Sequence, residues 1–198
     1  MAKKKTIRTI PQDRTPMPEQ DPEMRSHNFE EVACGYHPDD ALRESERCLL
    51  CPDQPCIAGC PVGINIPGFI KKINEKDLRG AYDILTETSL LPAICGRVCP
   101  QENQCEGQCT VGQTLEPVAI GRLERFVGDT AIREGWANIP YIEPNRFKVG
   151  IVGSGPAGMA CAADMAKAGC DVIVYEAFHQ AGGVLKYGIP DFRLPNAV

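Results

Sequence analysis

Eight of the eleven cysteines fall into two blocks with related spacing. Thiolates bind zinc and iron–sulfur clusters equally well, so spacing and flanking residues must distinguish the two. Only Cys48 and Cys51 form a CxxC pair, and the three histidines lie outside both blocks, which disfavours the usual zinc patterns. We therefore predict two iron–sulfur clusters, with zinc or disulfides as alternatives. The blocks are Cys48-x2-Cys51-x4-Cys56-x3-Cys60-Pro61 and Cys95-x3-Cys99-Pro100-x4-Cys105-x3-Cys109.

Cys60 and Cys99 are each followed by proline, as is Cys51. In the bacterial ferredoxin run, three nearby cysteines bind one cluster and the cysteine before proline binds the other. On that pattern Cys60 crosses to the second cluster, and Cys109 returns to the first. The second cluster then keeps one open position, for which Cys95 is the obvious chemical candidate. The predicted thiolate ligands are Cys48, Cys51, Cys56 and Cys109 for the first cluster, and Cys60, Cys99 and Cys105 for the second.

The composition is that of an ordinary globular chain, with 43% hydrophobic residues, 24% charged residues and a net charge of -5. A nucleic-acid-binding protein would carry a basic surface, so nucleic acid is not an expected partner. No apolar run approaches the ~20 residues that span a bilayer, and the start of the chain lacks the apolar core of a secretion signal. We expect a cytoplasmic protein without a membrane segment. Cysteines in a reducing compartment favour metal binding over disulfides.

The chain is predicted to divide into four segments. Residues 1–22 carry four prolines and no periodic apolar pattern, which indicates an extended arm. Residues 23–136 have helical periodicity and both cysteine blocks, and are predicted to form a small helical domain. Residues 137–146 contain Pro140 and Pro144 and form a linker. Residues 147–198 begin a domain of different character.

Apolar spacing and stop signals predict helices in the second segment. The first begins at Asn28 and stops at Gly35. Pro38 opens the next, which leads to Cys48 and Cys51. The remaining helices are predicted at Ile66 to Asn74, Leu78 to Thr86 and Val118 to Glu134.

A complete dinucleotide-binding fingerprint follows the linker. Residues 147–152 predict a buried strand, a small-residue helix runs to Ala168, and residues 171–175 predict a second strand. Gly153 permits the tight turn, Gly155 lets the backbone approach a pyrophosphate, and Gly158 allows the helix to pack on the strand. Glu176 follows the second strand, where an acidic residue binds ribose hydroxyls. The fingerprint alone does not distinguish FAD from NAD.

Four motifs in order give the chain a strong resemblance, over residues 17–195, to one protein family. They are Pro117-Val118-Ala119-Ile120-Gly121-Arg122-Leu123-Glu124-Arg125-Phe126, Cys95-Gly96-Arg97-Val98-Cys99-Pro100, Gly153-Ser154-Gly155-Pro156-Ala157-Gly158 and Gly182-Gly183-Val184-Leu185-Lys186-Tyr187-Gly188-Ile189-Pro190-Asp191-Phe192-Arg193-Leu194-Pro195. The chain resembles the family of the small (beta) subunit of NADPH-dependent glutamate synthase. The family also contains the large subunit of NADH-dependent ferredoxin:NADP oxidoreductase, sulfide dehydrogenase and the N-terminal part of dihydropyrimidine dehydrogenase.

The resemblance implies an α + α/β fold: a helical ferredoxin-like domain with two 4Fe-4S clusters, then the first βαβ unit of a Rossmann-like FAD domain. It implies that Glu124, on the helix after the last cysteine, fills the open position of the second cluster. A carboxylate is a harder and rarer iron ligand than a thiolate, so Cys95 stays the alternative. The FAD-binding residues that it implies are Gly153, Ser154, Gly155, Pro156, Ala157, Glu176, Gly183, Val184 and Arg193.

The resemblance also implies a function. We expect the electron-input module of an NADPH-dependent oxidoreductase, with a partner subunit that is the glutamate synthase large subunit or a ferredoxin-linked subunit. The implied NADPH-binding domain lies outside residues 1–198, so this segment alone is expected not to oxidise NADPH. The alternatives are a ferredoxin-linked transhydrogenase or sulfide dehydrogenase and, outside the enzymes, a zinc-stapled interaction module.

Overall fold

The computed structural model describes residues 10–136 and 141–198. They divide into two compact units: the first holds residues 10–18 and 35–130, and the second holds residues 19–34, 131–136 and 141–198. The predicted boundaries at 1–22, 23–136, 137–146 and 147–198 stay predictions. Residues 1–9 of the predicted arm and residues 137–140 of the predicted linker lie outside the described residues.

Helices dominate the described residues, and one small parallel sheet follows them, which confirms the predicted α + α/β class. Short 3₁₀ turns occur at Gln101–Asn103, Glu106–Gln108 and Thr110–Gln113. No helix in the described part of the chain is long and apolar enough to cross a bilayer. In chain order the helices and strands are α1 (Pro22–Arg25), α2 (Pro38–Ser45), α3 (Pro55–Ala58), α4 (Ile66–Asn74), α5 (Leu78–Thr86), α6 (Pro92–Val98), α7 (Ile120–Arg133), β1 (Lys148–Val152), α8 (Pro156–Lys167), β2 (Asp171–Tyr175) and α9 (Val184–Tyr187).

Helices α4 and α5 have the predicted bounds, and local chemistry explains why. Asn65 and Asp77 cap them, accepting hydrogen bonds from the N–H groups of Gly68 at 3.0 Å and Gly80 at 2.9 Å. Each helix buries one apolar face in the core of the first unit. The buried side chains on these faces include Phe69, Ile70, Ile73, Ala81 and Leu85.

The helix predicted from Asn28 to Gly35 is wrong. In the second unit this segment is irregular, and Ala33 forms an antiparallel bridge with Glu19. The N–H of Val32 donates to Phe192 O at 3.0 Å, and its carbonyl accepts from Gln20 N at 2.9 Å. These pairings with distant residues replace the local i→i−4 bonds that a helix would need.

A fully buried ion pair ties the N-terminal segment of the first unit to its core. Glu44 and Arg47 are 0% exposed, and Arg47 Nη1 lies 2.8 Å from Glu44 Oε1. The same carboxylate accepts from the N–H groups of Thr15 at 2.7 Å and Ala119 at 2.8 Å. Because each buried charge finds several partners, the pair joins residues 10–18 to the segment before α7.

The parallel strands β1 and β2 pair from Lys148 opposite Asp171 to Val152 opposite Tyr175. Both predicted strands form, but the predicted burial of β1 is wrong. One face of the sheet packs on α8, whereas the other is open, with Val152 91% exposed and Tyr175 59% exposed. α8 packs on both strands, and alternate side chains of each strand are exposed.

Candidate iron–sulfur sites and nucleotide-binding turn

Four of the predicted ligands form a first cysteine group: Cys48, Cys51, Cys56 and Cys109. Burial raises the pKa of the Cys56 thiol to about 11, and the nearby thiolates of Cys48, Cys109 and Cys51 raise it further. The Cys51 Sγ also lies 3.4 Å from the Thr110 hydroxyl, one residue beyond Cys109. The structure therefore places Cys109 near the three cysteines of the first block. Ligation of a cluster by these residues stays a prediction.

A second cysteine group contains Cys60, Cys99 and Cys105, next to Glu124. Burial raises the pKa of Cys105 to about 12, with additional effects from Glu106, Glu124 and Cys60. A hydrogen bond from Cys95 lowers the pKa of Cys99, while burial and the charges of Glu124, Cys105 and Cys60 raise it. Cys60 thus lies with the second block although its sequence neighbours lie with the first.

Two single turns of chain connect the groups. Cys56 lies within α3 and Cys60 follows it, so one helical turn carries a member of each group. Likewise Cys105 precedes the Glu106–Gln108 turn and Cys109 follows it. The three-residue spacers Cys56-x3-Cys60 and Cys105-x3-Cys109 therefore place the cysteines at their ends in different groups.

Glu124 is a buried carboxylate without a full set of partners. It lies on α7 and is 6% exposed, and its Oε1 has no hydrogen-bond partner within the described residues. Burial, and then the charge of Cys95, raise the pKa of Glu124 well above its ordinary value. An unsatisfied buried oxygen is costly, so a positively charged ligand at this point would stabilise the fold. The residues around the second group therefore fit a bound iron atom.

Cys95 has partners of its own. Hydrogen bonding to Cys99 and then burial raise the pKa of the Cys95 thiol. The Ser89 hydroxyl also bonds to Cys95. Of the two candidates for the open position, Cys95 is hydrogen-bonded in the structure, whereas one oxygen of Glu124 is not.

Within residues 10–136 and 141–198, no three His, Cys, Asp or Glu side chains converge closely enough to hold a single metal ion directly. A zinc ion holds all four ligands within about 2.0–2.3 Å of one centre. The two cysteine groups are therefore recognised by the effects of neighbouring cysteines on one another's pKa. They do not have the geometry of a single-ion site.

The glycine-rich turn between β1 and α8 has the backbone that its sequence predicts. Gly153 has a φ of +93°, which favours glycine, and a Cβ on Gly155 would meet nothing within 4 Å. A Cβ on Gly158 would collide with the Gly153 carbonyl oxygen. Gly183, with φ +54°, packs on this turn, because its Cβ would lie 2.8 Å from Gly155 Cα. The open side of Gly155 is where a ligand backbone or phosphate has room to approach. Pro156 and Ala157 begin α8 beside it.

Glu176 is bound to the turn itself. Its carboxylate accepts from the N–H of Ser154 at 2.9 Å, from the Ser154 hydroxyl, and from the N–H of Phe178 at 2.8 Å. These hydrogen bonds, with Phe178 the largest contribution, lower the pKa of Glu176 to about 2. The buried Ser154 also accepts from Gly182 N–H through its carbonyl and hydroxyl oxygens at 3.1 and 3.2 Å. Sequence reasoning had not anticipated that Ser154 would join Glu176 to the Gly182 loop.

Two predicted FAD-binding residues lie further out. Val184 begins α9 and is 57% exposed. Arg193 is exposed, and its N–H donates to Pro190 O at 2.9 Å. The hydrogen bonds found among the described residues do not connect Arg193 to the glycine turn.

Residues 25–136, more than half of the chain, match the family model described as dihydropyrimidine dehydrogenase domain II, 4Fe-4S cluster. The chain belongs to this family. A second match, over residues 151–195, is to the NAD(P)-binding Rossmann-like domains. The match to this 4Fe-4S family covers both cysteine groups and favours iron–sulfur over zinc.

Relatives of the chain carry three kinds of name. It is 41% identical over 176 residues to the putative oxidoreductase UacF of Escherichia coli K12, which covers 88% of the chain and 28% of UacF. It is 37% identical over 187 residues to the glutamate synthase [NADPH] small chain of Azospirillum brasilense, covering 92% of the chain and 38% of that protein.

The third relative is the NAD-dependent dihydropyrimidine dehydrogenase subunit PreT of Salmonella typhimurium, 38% identical over 176 residues, with 88% of the chain and 43% of PreT covered. The chain thus spans less than half the length of each of these relatives. The predicted resemblance to the glutamate synthase small-subunit family is confirmed by these similarities.

Proposed function

We propose that the chain is the electron-input part of an NADPH-dependent flavin and iron–sulfur oxidoreductase, of the type to which the glutamate synthase small subunit belongs. The carrying observation is the separation of the cysteines into two groups within a 4Fe-4S family domain. The relatives carry different enzyme names, so they do not indicate a single partner subunit, and we propose two. The partner is either the glutamate synthase large subunit or a ferredoxin-linked subunit.

Each cysteine group is proposed to hold one 4Fe-4S cluster. Support for Glu124 as the fourth ligand of the second cluster comes from its unpartnered buried Oε1, compared with the hydrogen-bonded thiol of Cys95. The proposed ligands are Cys48, Cys51, Cys56 and Cys109 for the first cluster, and Cys60, Cys99, Cys105 and Glu124 for the second.

FAD is the nucleotide proposed for the glycine-rich turn. When bound, FAD and the clusters would supply hydride and single-electron chemistry that side chains lack. The chain's own contribution is positioning: the open side of Gly155 and the N-terminus of α8 receive a pyrophosphate, and Glu176 accepts ribose hydroxyls beside it. Carboxylate oxygens have several lone pairs, so Glu176 can bind ribose while it holds Ser154. NADPH is proposed to bind outside residues 1–198.

The proposal has two alternatives. A ferredoxin-linked NAD(P)H transhydrogenase or sulfide dehydrogenase would use the same ligands and turn with another partner. A zinc-stapled interaction module would use the cysteines alone. The metal content distinguishes the second alternative from both enzymes.

Anaerobically purified chain is expected to contain about eight iron atoms, because each of the two 4Fe-4S clusters holds four. It is also expected to absorb broadly near ~400 nm, as iron–sulfur proteins do. Cys56→Ala should remove about four iron atoms, whereas Cys170→Ala, a half-buried cysteine outside both groups, should remove none. Iron and zinc are counted by elemental analysis. Stoichiometric zinc without iron after anaerobic reconstitution would refute the proposal in favour of the zinc module.

Gly155→Ala is expected to weaken FAD binding about ten-fold or more, while the apo chain loses less than about 1 kcal/mol of stability. The added methyl group meets no protein atom within 4 Å and so occupies space left for the ligand. FAD affinity is measured by flavin fluorescence quenching, with NAD as the comparison ligand. Gly150→Ala is the matched control, because its methyl group contacts only the Tyr175 ring at 3.4 Å. Unchanged FAD affinity in Gly155→Ala, or preference for NAD, would contradict the FAD assignment.

A further inference from the structure

The four proposed ligands of the second cluster come from four separate places in the chain. Cys60 follows α3, Cys99 follows α6, Cys105 precedes the Glu106–Gln108 turn, and Glu124 lies in α7. No single loop fixes their spacing. Their geometry therefore depends on how closely these elements pack on one another.

Helix α6 lies in backbone contact with α7 at Gly96. A Cβ on Gly96 would lie 2.5 Å from Arg125 N and 2.6 Å from Gly121 O. A second contact lies one turn away, where a Cβ on Gly128 would be 2.5 Å from Ala93 N. Because these neighbours are backbone atoms, the helices cannot make room by rotating a side chain.

The contact at Gly96 places Cys95 in α6 and Cys99, which follows α6, beside Glu124. Cys95 and Cys99 lie on either side of Gly96 in sequence, and Glu124 immediately precedes Arg125. The unpartnered oxygen of Glu124 lies in this buried region, and Glu124 is electrostatically coupled to both cysteines. The distance between the two helices thus sets the distance between the carboxylate and the thiols.

An ion pair also holds the same two helices together. Arg97 on α6 donates to both carboxylate oxygens of Asp129 on α7, at 2.5 and 2.9 Å. Arg125 Nε, on the same helix as Asp129, lies 3.2 Å from this carboxylate. The Arg97–Asp129 ion pair and the glycine contacts therefore act on one interface.

A second close contact joins the chain before Cys60 to the chain before Cys105. A Cβ on Gly59 would lie 2.7 Å from Gln104 O and 2.9 Å from Gln108 Cγ. Gly59 and Gln104 are each followed directly by a cysteine of the second group. This contact brings Cys60 beside Cys105 although they are distant in sequence.

We propose that Gly59 and Gly96 are positioning residues for the second cluster, each permitting the backbone contact that brings its ligands together. The inference rests on the proposed function, because it takes the second cluster as given. The first group lacks such a contact at Gly112, three residues after Cys109. A Cβ on Gly112 would meet no atom closer than Pro117 Cβ at 3.4 Å. Substitution at Gly112 therefore serves as the matched control.

The test compares Gly96→Ala, Gly59→Ala and Gly112→Ala in the anaerobically purified chain. Iron is counted, and the reduced clusters are resolved by electron paramagnetic resonance. Both Gly96→Ala and Gly59→Ala are expected to lose the spectrum of the second cluster and about four of about eight iron atoms. The first cluster should keep its spectrum, which also reports that the first unit has folded. Gly112→Ala should keep both clusters.

The outcomes separate this inference from the function on which it rests. Wild-type iron and unchanged spectra in both Gly96→Ala and Gly59→Ala would overturn the inference alone. Loss of both clusters in both variants would also overturn it, because the glycines would then support the whole fold and not one site. Absence of iron from the wild-type chain would overturn the proposed function, and this inference with it.

Discussion

Replacing Arg47 with methionine is expected to cost about 3–5 kcal/mol of unfolding free energy, because it leaves the Glu44 carboxylate buried without its cation. Both side chains are 0% exposed. Arg47 also donates to Glu116 O at 2.6 Å and Pro117 O at 3.1 Å, so these carbonyls would lose their donor as well. Stability is measured by anaerobic urea unfolding of the cluster-loaded chain.

The control is Arg79→Met, which breaks an exposed pair with Asp83 in the same unit. Arg79 and Asp83 are 47% and 49% exposed, so the loss should be below about 1 kcal/mol. The double variant of Arg47→Met with Glu44→Gln should recover part of the loss, because it removes the stranded charge. Equal losses of unfolding free energy in Arg47→Met and Arg79→Met would contradict the stabilising role of the buried pair.

Cys109→Ala is expected to remove the cluster held by Cys48, Cys51 and Cys56 and to leave the other in place. The reason is the coupling of Cys109 to the first group, although Cys109 ends the second block of the sequence. Cys60→Ala should have the opposite effect, because Cys60 is coupled to Cys99 and Cys105. Each variant should lose about four iron atoms. Electron paramagnetic resonance of the reduced chain distinguishes which cluster remains.

The same measurement decides the open position of the second cluster. Cys95→Ala should keep both clusters, whereas Glu124→Ala should lose or alter the second. Loss of the second cluster in Cys95→Ala and not in Glu124→Ala would reverse the assignment. Damage confined to the Cys99 and Cys105 cluster in Cys109→Ala would refute the crossed arrangement itself.

Local chemistry explains which helices could be predicted from the sequence. Helices α4 and α5 have apolar faces, capping side chains and short connections, so their bounds follow from nearby residues alone. The segment from Asn28 to Gly35 has helical spacing, but its backbone pairs with Glu19, Gln20 and Phe192. The periodicity of a short stretch of sequence does not predict pairing with distant residues.

Helix α7 illustrates a smaller error with a clear cause. Its predicted start is Val118, yet it begins at Ile120. The carbonyl of Pro117 accepts from buried Arg47, and the N–H of Ala119 donates to buried Glu44. These charged partners hold the backbone groups that precede the helix.

In the candidate sites too, features that depend on nearby residues could be predicted, whereas contacts between distant segments could not. The division of the cysteines into two groups could be predicted from spacing alone, because the Cys56–Cys60 and Cys105–Cys109 spacers each fit one short turn of chain, and their ligation stays a prediction. The close approach at Gly96 was not predicted, since it depends on α7, which lies more than twenty residues further along the chain. Ser154 was assigned to FAD by resemblance, but its bonds to Glu176 and Gly182 depend on three segments meeting.

The attachment of residues 10–18 determines how far the iron–sulfur domain can be trimmed. A chain shortened to begin at Pro38 would retain every proposed cluster ligand. However, it would lose the N–H of Thr15 that donates to Glu44 and the Thr15 carbonyl that accepts from Tyr36 and Arg122. Arg14, which pairs with Glu106 at 2.7 Å beside Cys105, would be lost as well. The smallest autonomous folding unit therefore starts well upstream of the first cysteine ligand.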